Sequence, residues 1–316
     1  RAARQSGVPF VTTYHGAYSE KNRLKKAYNA VMARGDIVIA NSQFTANLIR
    51  ERYNIDEDRL VVIPRGVDLE RFNRDAISDE RIGALRDAWG VTARDRIILL
   101  PARLTRLKGH RVAIDAFSRL PNRIRDAALL VAVGRCPTGS QKLRTELEAQ
   151  ICGSGLTDRV KLLEHCGDMP AAMCAASVVL IATTTAETFG RTSVEAQAVG
   201  TPVIATAIGG PMETVIPWNG KRGIGWLVPP GDADALANAI AESLATGSQD
   251  RLTLTRDSIA NARHNFTTER LKTATLTVYR SRLAPLLATA TKTAEERTGS
   301  LSSPSQRMTD STANAA

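Results

Sequence analysis

Aromatic residues are scarce in this chain, at 4% of 316 residues. Proteins that hold single-stranded nucleic acid stack bases on aromatic side chains above a basic groove, and no basic helix here interleaves with aromatics, so no nucleic acid partner is expected. Cysteine is sparse as well. Cys136, Cys152, Cys166 and Cys174 show no C-x-x-C spacing, which argues against a zinc site and predicts reduced core thiols in a cytosolic setting. Long apolar runs are missing. The longest, 171–182, is interrupted by Ser177 and falls short of the roughly 18 residues a membrane-crossing helix requires. No G-x-G-x-x-G follows a strand pattern with an acid about 20 residues further on, which disfavours a dehydrogenase. The first residue is Arg1 and not methionine, so the sequence reads as a fragment from which a targeting segment has not been excluded.

What is present suits a globular protein: 43% hydrophobic and 23% charged residues over a length that accommodates two domains with real cores. A formal charge of +10 and a pI near 9.8 call for an acidic partner. Nucleic acid, an anionic membrane face and a phosphorylated substrate all qualify, and charge alone does not choose among them.

Short β-branched runs alternate with helical patterns, the βαβ rhythm of a parallel sheet. The strands fall at 10–13, 37–40, 60–63, 97–100, 129–133, 160–163, 178–182 and 203–205. Each is nearly continuous Val, Ile, Leu or Ala, as in strands buried on both faces. A polar segment, 68–95, with one short amphipathic helix at 81–89, separates three strands from five and reads as an interdomain hinge. The expected organisation is a partial N-terminal domain with its hinge at 1–92 and a complete Rossmann-like domain at 93–262. A helix within 263–290 packs back toward the first domain, and 291–316 forms a disordered tail. That helix, at 268–283, carries Leu271, Leu276, Tyr279 and Leu283 on one face.

The most informative stretch is Glu187-Thr-Phe-Gly190-Arg-Thr-Ser-Val-Glu195, two carboxylates eight residues apart around a glycine that opens a helix. On a single helix they would stand roughly 12 Å apart. That suits a nucleotide diphosphate-sugar, with one acid on sugar hydroxyls, the other on ribose hydroxyls, and the helix N-terminus between them offering free N–H groups to the diphosphate. Arg103 and Lys108-Gly109 follow the strand at 97–100. Ligands of open parallel sheets bind beyond the carboxyl ends of strands, so this cationic pair would face the crevice. Alone, such a pair is more often a solvated basic loop, and Arg106 is expected to face solvent. His15, in Thr13-Tyr-His15-Gly16 at another strand end, is by itself more often a structural hydrogen-bonder. Asn41-Ser42 reads as the cap of the helix that begins near Phe44, and Gly209-Gly210 as a tight turn.

The order Pro64-Arg-Gly-Val-Asp68, Arg103, Lys108-Gly109, Gly134, Glu187 with Phe189-Gly190 and Glu195-Ala, Gly200-Thr-Pro-Val, then Gly209-Gly210 resembles family 4 glycosyltransferases of the GT-B fold. The resemblance covers about residues 10–283 and is nearest to bacterial enzymes that extend lipopolysaccharide or related envelope glycans. It implies two Rossmann-like doubly wound domains, the first incomplete. Glu187 would hold hydroxyls of the donor sugar and Glu195 the ribose. The backbone N–H groups of Phe189 and Gly190 would reach the sugar, those of Arg191 and Thr192 the phosphates, with Arg103 and Lys108 as phosphate-binding cations and His15 beside the transferred sugar. The loops at Gly134-Arg135 and His165-Cys-Gly167 would line the base pocket. Arg65 stands where the family commonly has Asn, and the family's glycine-rich loop near the first strand is absent.

The resemblance further implies a retaining, metal-independent hexosyl transfer to a glycan or lipid-linked acceptor. Fixed cations would stabilise the departing diphosphate, which would itself take the acceptor proton; a double displacement with Glu187 as nucleophile is the rival. A nucleotide-sugar epimerase on the same fold and an inactive nucleotide-sugar-binding fragment are the alternatives. The segment 20–34 carries five basic residues against one acid, with Leu24, Tyr28 and Val31 at helical spacing. It reads either as a core-facing helix or as a helix that lies on anionic lipid at the inner membrane face.

Overall fold

A computed structural model describes residues 2–6, 8–18 and 22–284. The expected tail at 291–316, the end of the 263–290 segment and Glu20 lie outside the described residues. Strands β1 (Val11–Tyr14), β2 (Ile37–Ala40) and β3 (Leu60–Val62) form one parallel sheet in that order. A second parallel sheet contains β4 (Arg96–Pro101), β5 (Ala128–Val133), β6 (Val160–Leu163), β7 (Ala176–Ile181), β8 (Val203–Thr206) and β9 (Gly225–Val228). Its order is β6-β5-β4-β7-β8-β9. The chain winds outward from β4 in one direction and returns to β7 to wind in the other, so the switch point falls between the carboxyl ends of β4 and β7.

Both faces of the larger sheet are covered, which is why its strands read as unbroken apolar runs. Alternate residues of β4 enter opposite cores: Ile98 and Leu100 join Phe117, Leu130 and Leu180 on one side, while Ile97 and Leu99 join Val131, Val179 and Val194 on the other.

Three expectations are corrected. The last strand, β9, has no counterpart in the sequence reading, because Gly223 and Gly225 make it look like a turn; Gly225 is required there, since a Cβ would fall 2.0 Å from the Val203 carbonyl oxygen of β8. The cysteines are free but not core residues: Cys152 is exposed and the other three only partly buried. Cys152 follows the buried Ile151 on the Gln141–Gly153 helix, and one residue on a helix is a rotation of about 100° away from the core. Finally, the C-terminal helix Thr268–Val278 turns Leu271, Ala274, Val278 and Leu283 toward Ile37, Ile39 and Ile63 of the small sheet, leaving Leu276 and Tyr279 exposed. The five-residue step from Val278 to Leu283 is accommodated by a π-helical turn, Tyr279–Leu283.

The segment 68–95, read above as a hinge, is not loose. Phe72, Ile77, Trp89 and Val91 are buried in the larger domain's core, and Arg81 bonds both oxygens of Asp168 at 2.9 Å. The chain passes between the two sheets at 64–68 and again at 266–268, where Val67 donates to the Phe266 carbonyl at 2.7 Å and Thr268 donates back to that of Val67 at 3.3 Å. Gly66 permits this contact, as a Cβ would lie 2.7 Å from the Thr267 backbone.

Candidate donor-binding cleft

The loops after β4 and β7 meet at the switch point. Leu100, Pro101, Ala102 and Lys108 line one side of a cleft there, and Leu180, Ile181, Ala182, Thr183, Glu187 and Thr192 line the other. Lys108 and Glu187 form an ion pair, both side chains largely buried. Charges withdrawn from water in this way are held by each other, and removal of one leaves the other uncompensated.

The loop that carries Lys108 is fixed from behind. Gly109 adopts φ +71°, and a Cβ on it would fall 1.7 Å from the Ala182 carbonyl oxygen, so only glycine allows β4's loop to lie against β7's. Leu107 accepts from Thr183 Oγ1 and from the Thr184 N–H, each at 2.9 Å. The threonine run 183–185 therefore serves as an anchor, a role no spacing in the sequence announced. His110, the first residue of the helix His110–Ser118, is 3% exposed. Neither ring nitrogen makes a well-aligned hydrogen bond to a described residue, though the carbonyls of Ala102 and Thr105 lie near the ring. Burial pushes its pKa down to about 4; the Lys108 charge acts in the same direction and the carbonyls of Ala102 and Thr105 against it. Gly134 lies against the loop's other end, its absent Cβ 2.0 Å from the Ala102 oxygen.

Glu187 and Glu195 do not share a helix. The helix begins at Arg191, with Gly190 as its left-handed cap at φ +80°, and Glu187 lies before it in extended backbone paired with Gly209. Gly209 and Gly210 brace this segment: their Cβ atoms would fall 2.3 Å from the Glu187 oxygen and from Phe189 Cα respectively, and the Gly210 N–H donates to the Glu187 carbonyl at 2.7 Å. The Phe189 side chain leaves the cleft and packs edge-on against Phe266, ring centres 5.7 Å apart. Glu195, one turn into the helix, bonds Arg191 Nε at 3.0 Å. Burial raises its pKa, with the charges of Arg191 and Arg71 opposing.

Arg103 is exposed, does not line the cleft and makes no ion pair with a described residue. Arg106 is exposed too, and bonds Glu146 at 2.9 and 3.0 Å. His15 is exposed at the end of β1, its Nδ1 3.1 Å from the Thr13 oxygen. Its carbonyl accepts from the hydroxyl of Thr188 at 3.1 Å, which brings the first domain's strand end beside the Glu187 segment. Ser42 caps the helix Gln43–Arg52 through the Thr45 N–H at 3.0 Å. Thr188 and Glu213, which reach that same helix end, carried no signal in the sequence.

Residues 82–264 match the family described as glycosyl transferases group 1, and residues 1–71 match glycosyltransferase family 4. Over 229 residues the chain is 35% identical to a D-inositol 3-phosphate glycosyltransferase of Salinispora arenicola, an overlap of 66% of this chain and 50% of the relative. The chain thus spans about half the length of that relative. A crystal structure of a glycosyltransferase from Rickettsia africae superposes with TM-score 0.79 and 29% identity, covering 89% of this chain and 73% of that one. The Anabaena protein Alr3699/HepE, solved in complex with UDP and glucose, gives 0.79 and 28% with the same coverage.

Proposed function

The chain belongs to the group 1 glycosyl transferases, with their GT-B architecture, and on that premise we propose that it moves a hexose from a nucleotide diphosphate-sugar to an acceptor hydroxyl in cell-envelope glycan synthesis, with retention and without a metal. The observation that carries this reading is the Lys108–Glu187 pair in the cleft at the switch point. A cation for phosphate and a carboxylate for sugar hydroxyls stand there in contact, drawn from loops 79 residues apart.

In this proposal the 93–262 domain holds the donor and the 1–92 domain faces the acceptor. Glu187 accepts from sugar hydroxyls and Glu195 from the ribose. The helix-end amides at Gly190, Arg191 and Thr192 meet the diphosphate, together with Lys108 and with Arg103, which has no ion-pair partner among the described residues, and Phe189 contributes its backbone N–H beside the sugar. Negative charge grows on the leaving diphosphate as the glycosidic bond breaks; Lys108 and the helix-end amides are held where it develops, whereas the exposed Arg103 would have to swing in to meet it. The leaving phosphate, on the same face as the incoming hydroxyl, takes the acceptor proton. His15 approaches from the first domain. Gly134, Gly209 and Gly210 act through the backbone they brace.

The acceptor is a glycan or a lipid-linked glycan. The helix Arg23–Asn29 and the turn after it expose Leu24, Tyr28 and Val31 among basic residues, a surface suited to anionic lipid. An inositol phosphate acceptor is the second reading, favoured by the likeness to the Salinispora D-inositol 3-phosphate glycosyltransferase.

Thermal-shift titration with UDP-, GDP- and ADP-sugars, followed by a transfer assay on the binder, tests the proposal. A nucleotide-sugar should raise the melting temperature of the parent, and Lys108→Ala or Glu195→Ala should lower turnover at least about tenfold. Absence of any shift, or intact rates in both variants, would end this assignment; conversion of donor alone to its epimer would replace it.

A further inference from the structure

The N-terminus of the helix Gln43–Arg52 is capped twice, and the second cap comes from the other domain. Ser42 satisfies the Thr45 N–H from within its own turn. The two amides it does not serve, those of Gln43 and Phe44, donate to the two carboxylate oxygens of Glu213, at 2.8 and 2.5 Å. These are orphan donors at the positive end of a helix dipole, where a carboxylate is the preferred partner.

A second contact lies beside the first. The Thr188 carbonyl accepts from Ser42 Oγ; Thr45 Oγ1 stands 3.3 Å from it while giving its one proton to Asn41 Oδ1 at 2.7 Å. Its hydroxyl accepts from Asn41 Nδ2 at 3.2 Å and donates to the His15 carbonyl at 3.1 Å, which uses the one proton and one of the lone pairs a threonine has. Thr188 stands directly between Glu187 and Phe189. Glu213 is carried on Pro211–Thr214, immediately after the glycine pair pressed onto Glu187 and Phe189. The two contacts therefore belong to one rigid piece of the larger domain, the piece that holds Glu187.

We propose that Glu213 and Thr188 are positioning residues for the transfer, a clasp that sets the His15 strand end against the sugar-holding segment. Neither touches the donor. They act through His15 on one side of the cleft and Glu187 on the other, fixing the acceptor side in register with the donor side. The inference rests on the glycosyltransferase reading for its catalytic consequence, and on hydrogen bonds alone for its structural one. A carboxylate is specified at 213 because it accepts from both amides, whereas an amide side chain turns a donor toward one of them.

The test uses the full chain with Glu213→Ala, Glu213→Gln and Thr188→Val, the last keeping the carbonyl's bond from Ser42 and so reporting independently should Glu213→Ala fail to fold. Three quantities are measured: kcat and donor KM, equilibrium UDP affinity by calorimetry, and the radius of gyration by small-angle scattering. The clasp predicts a kcat lower by about tenfold or more in Glu213→Ala and Thr188→Val, a smaller loss in Glu213→Gln, UDP affinity within twofold of the parent, and a larger radius of gyration. A kcat within twofold of the parent with an unchanged radius overturns the proposal, as does UDP affinity falling in step with kcat. Should the parent bind no nucleotide, the glycosyltransferase reading fails, while the scattering comparison still decides the clasp.

Discussion

Lowering the pH from 7 to 5 should remove about 2 kcal/mol of stability through His110 alone. The buried ring resists protonation until about pH 4, against 6.5 for a free imidazole, with desolvation the largest cause. Between those values the unfolded chain binds more protons than the native one, so stability falls as pH drops through the window. The full difference is worth about 3–4 kcal/mol at about 1.36 kcal/mol per unit, and about 2 kcal/mol of it is lost by pH 5. The assay is urea unfolding of the parent and of His110→Phe at pH 7, 6 and 5. Carboxylate titrations are common to both proteins and cancel in the difference, which leaves the imidazole. The parent should lose about 2 kcal/mol more than the variant over this range. Parallel profiles would refute the argument, and would mean that the ring is hydrated or paired when protonated.

Three further outcomes are expected. Glu195→Gln should gain stability relative to the parent as pH rises from below 4.5: burial raises the native carboxyl above its ordinary 4.5, the native state then holds more protons than the unfolded one, and ionisation on the alkaline side penalises only the parent; urea midpoints that keep a constant gap from about pH 4 to 8 would contradict this. Gly109→Ala should destabilise by about 2–4 kcal/mol, because a left-handed φ and a backbone clash combine. Gly139→Ala, at φ +86° with nothing within 4 Å of the added carbon, should lose only about 1 kcal/mol, and equal losses in calorimetry would show that the clash relaxes. The full chain should co-float with anionic vesicles and not with neutral ones, and Lys25→Glu with Lys26→Glu should abolish the preference; equal flotation on both lipids would remove the lipid contact.

The parallel sheets were legible because strands such as β2 and β5, buried on both faces, leave no polar alternation to misread. β9 was not, because the close approach of its neighbour replaced side chains with glycine, and glycine in a sequence signals a turn. The C-terminal helix was legible as a helix, with Leu271 and Leu283 on its covered face, but not in the facing between them: Leu276 follows Leu271 by five residues and stands roughly 140° away, whereas Ala274 and Val278 follow by three and seven and meet the small sheet, and the π turn then returns Leu283 to that side. At the cleft, Lys108 and Glu187 could be placed in one crevice from local motifs and strand ends, and the structure brings them into contact there. Thr188 and Glu213 could not. Each meets the first domain across more than 140 positions of sequence, and such a contact leaves no local period or spacing to read.

The dependence of the small sheet on residues 271–283 sets an order for biosynthesis. Ile37, Ile39 and Ile63 emerge from the ribosome first, and the helix that shields them follows more than about 200 residues later. At about 5–20 residues per second, that greasy face waits on the order of ten seconds or more without its lid. Residues 96–266, which build the larger domain's two cores, emerge before that helix, so the small sheet is the surface left uncovered longest.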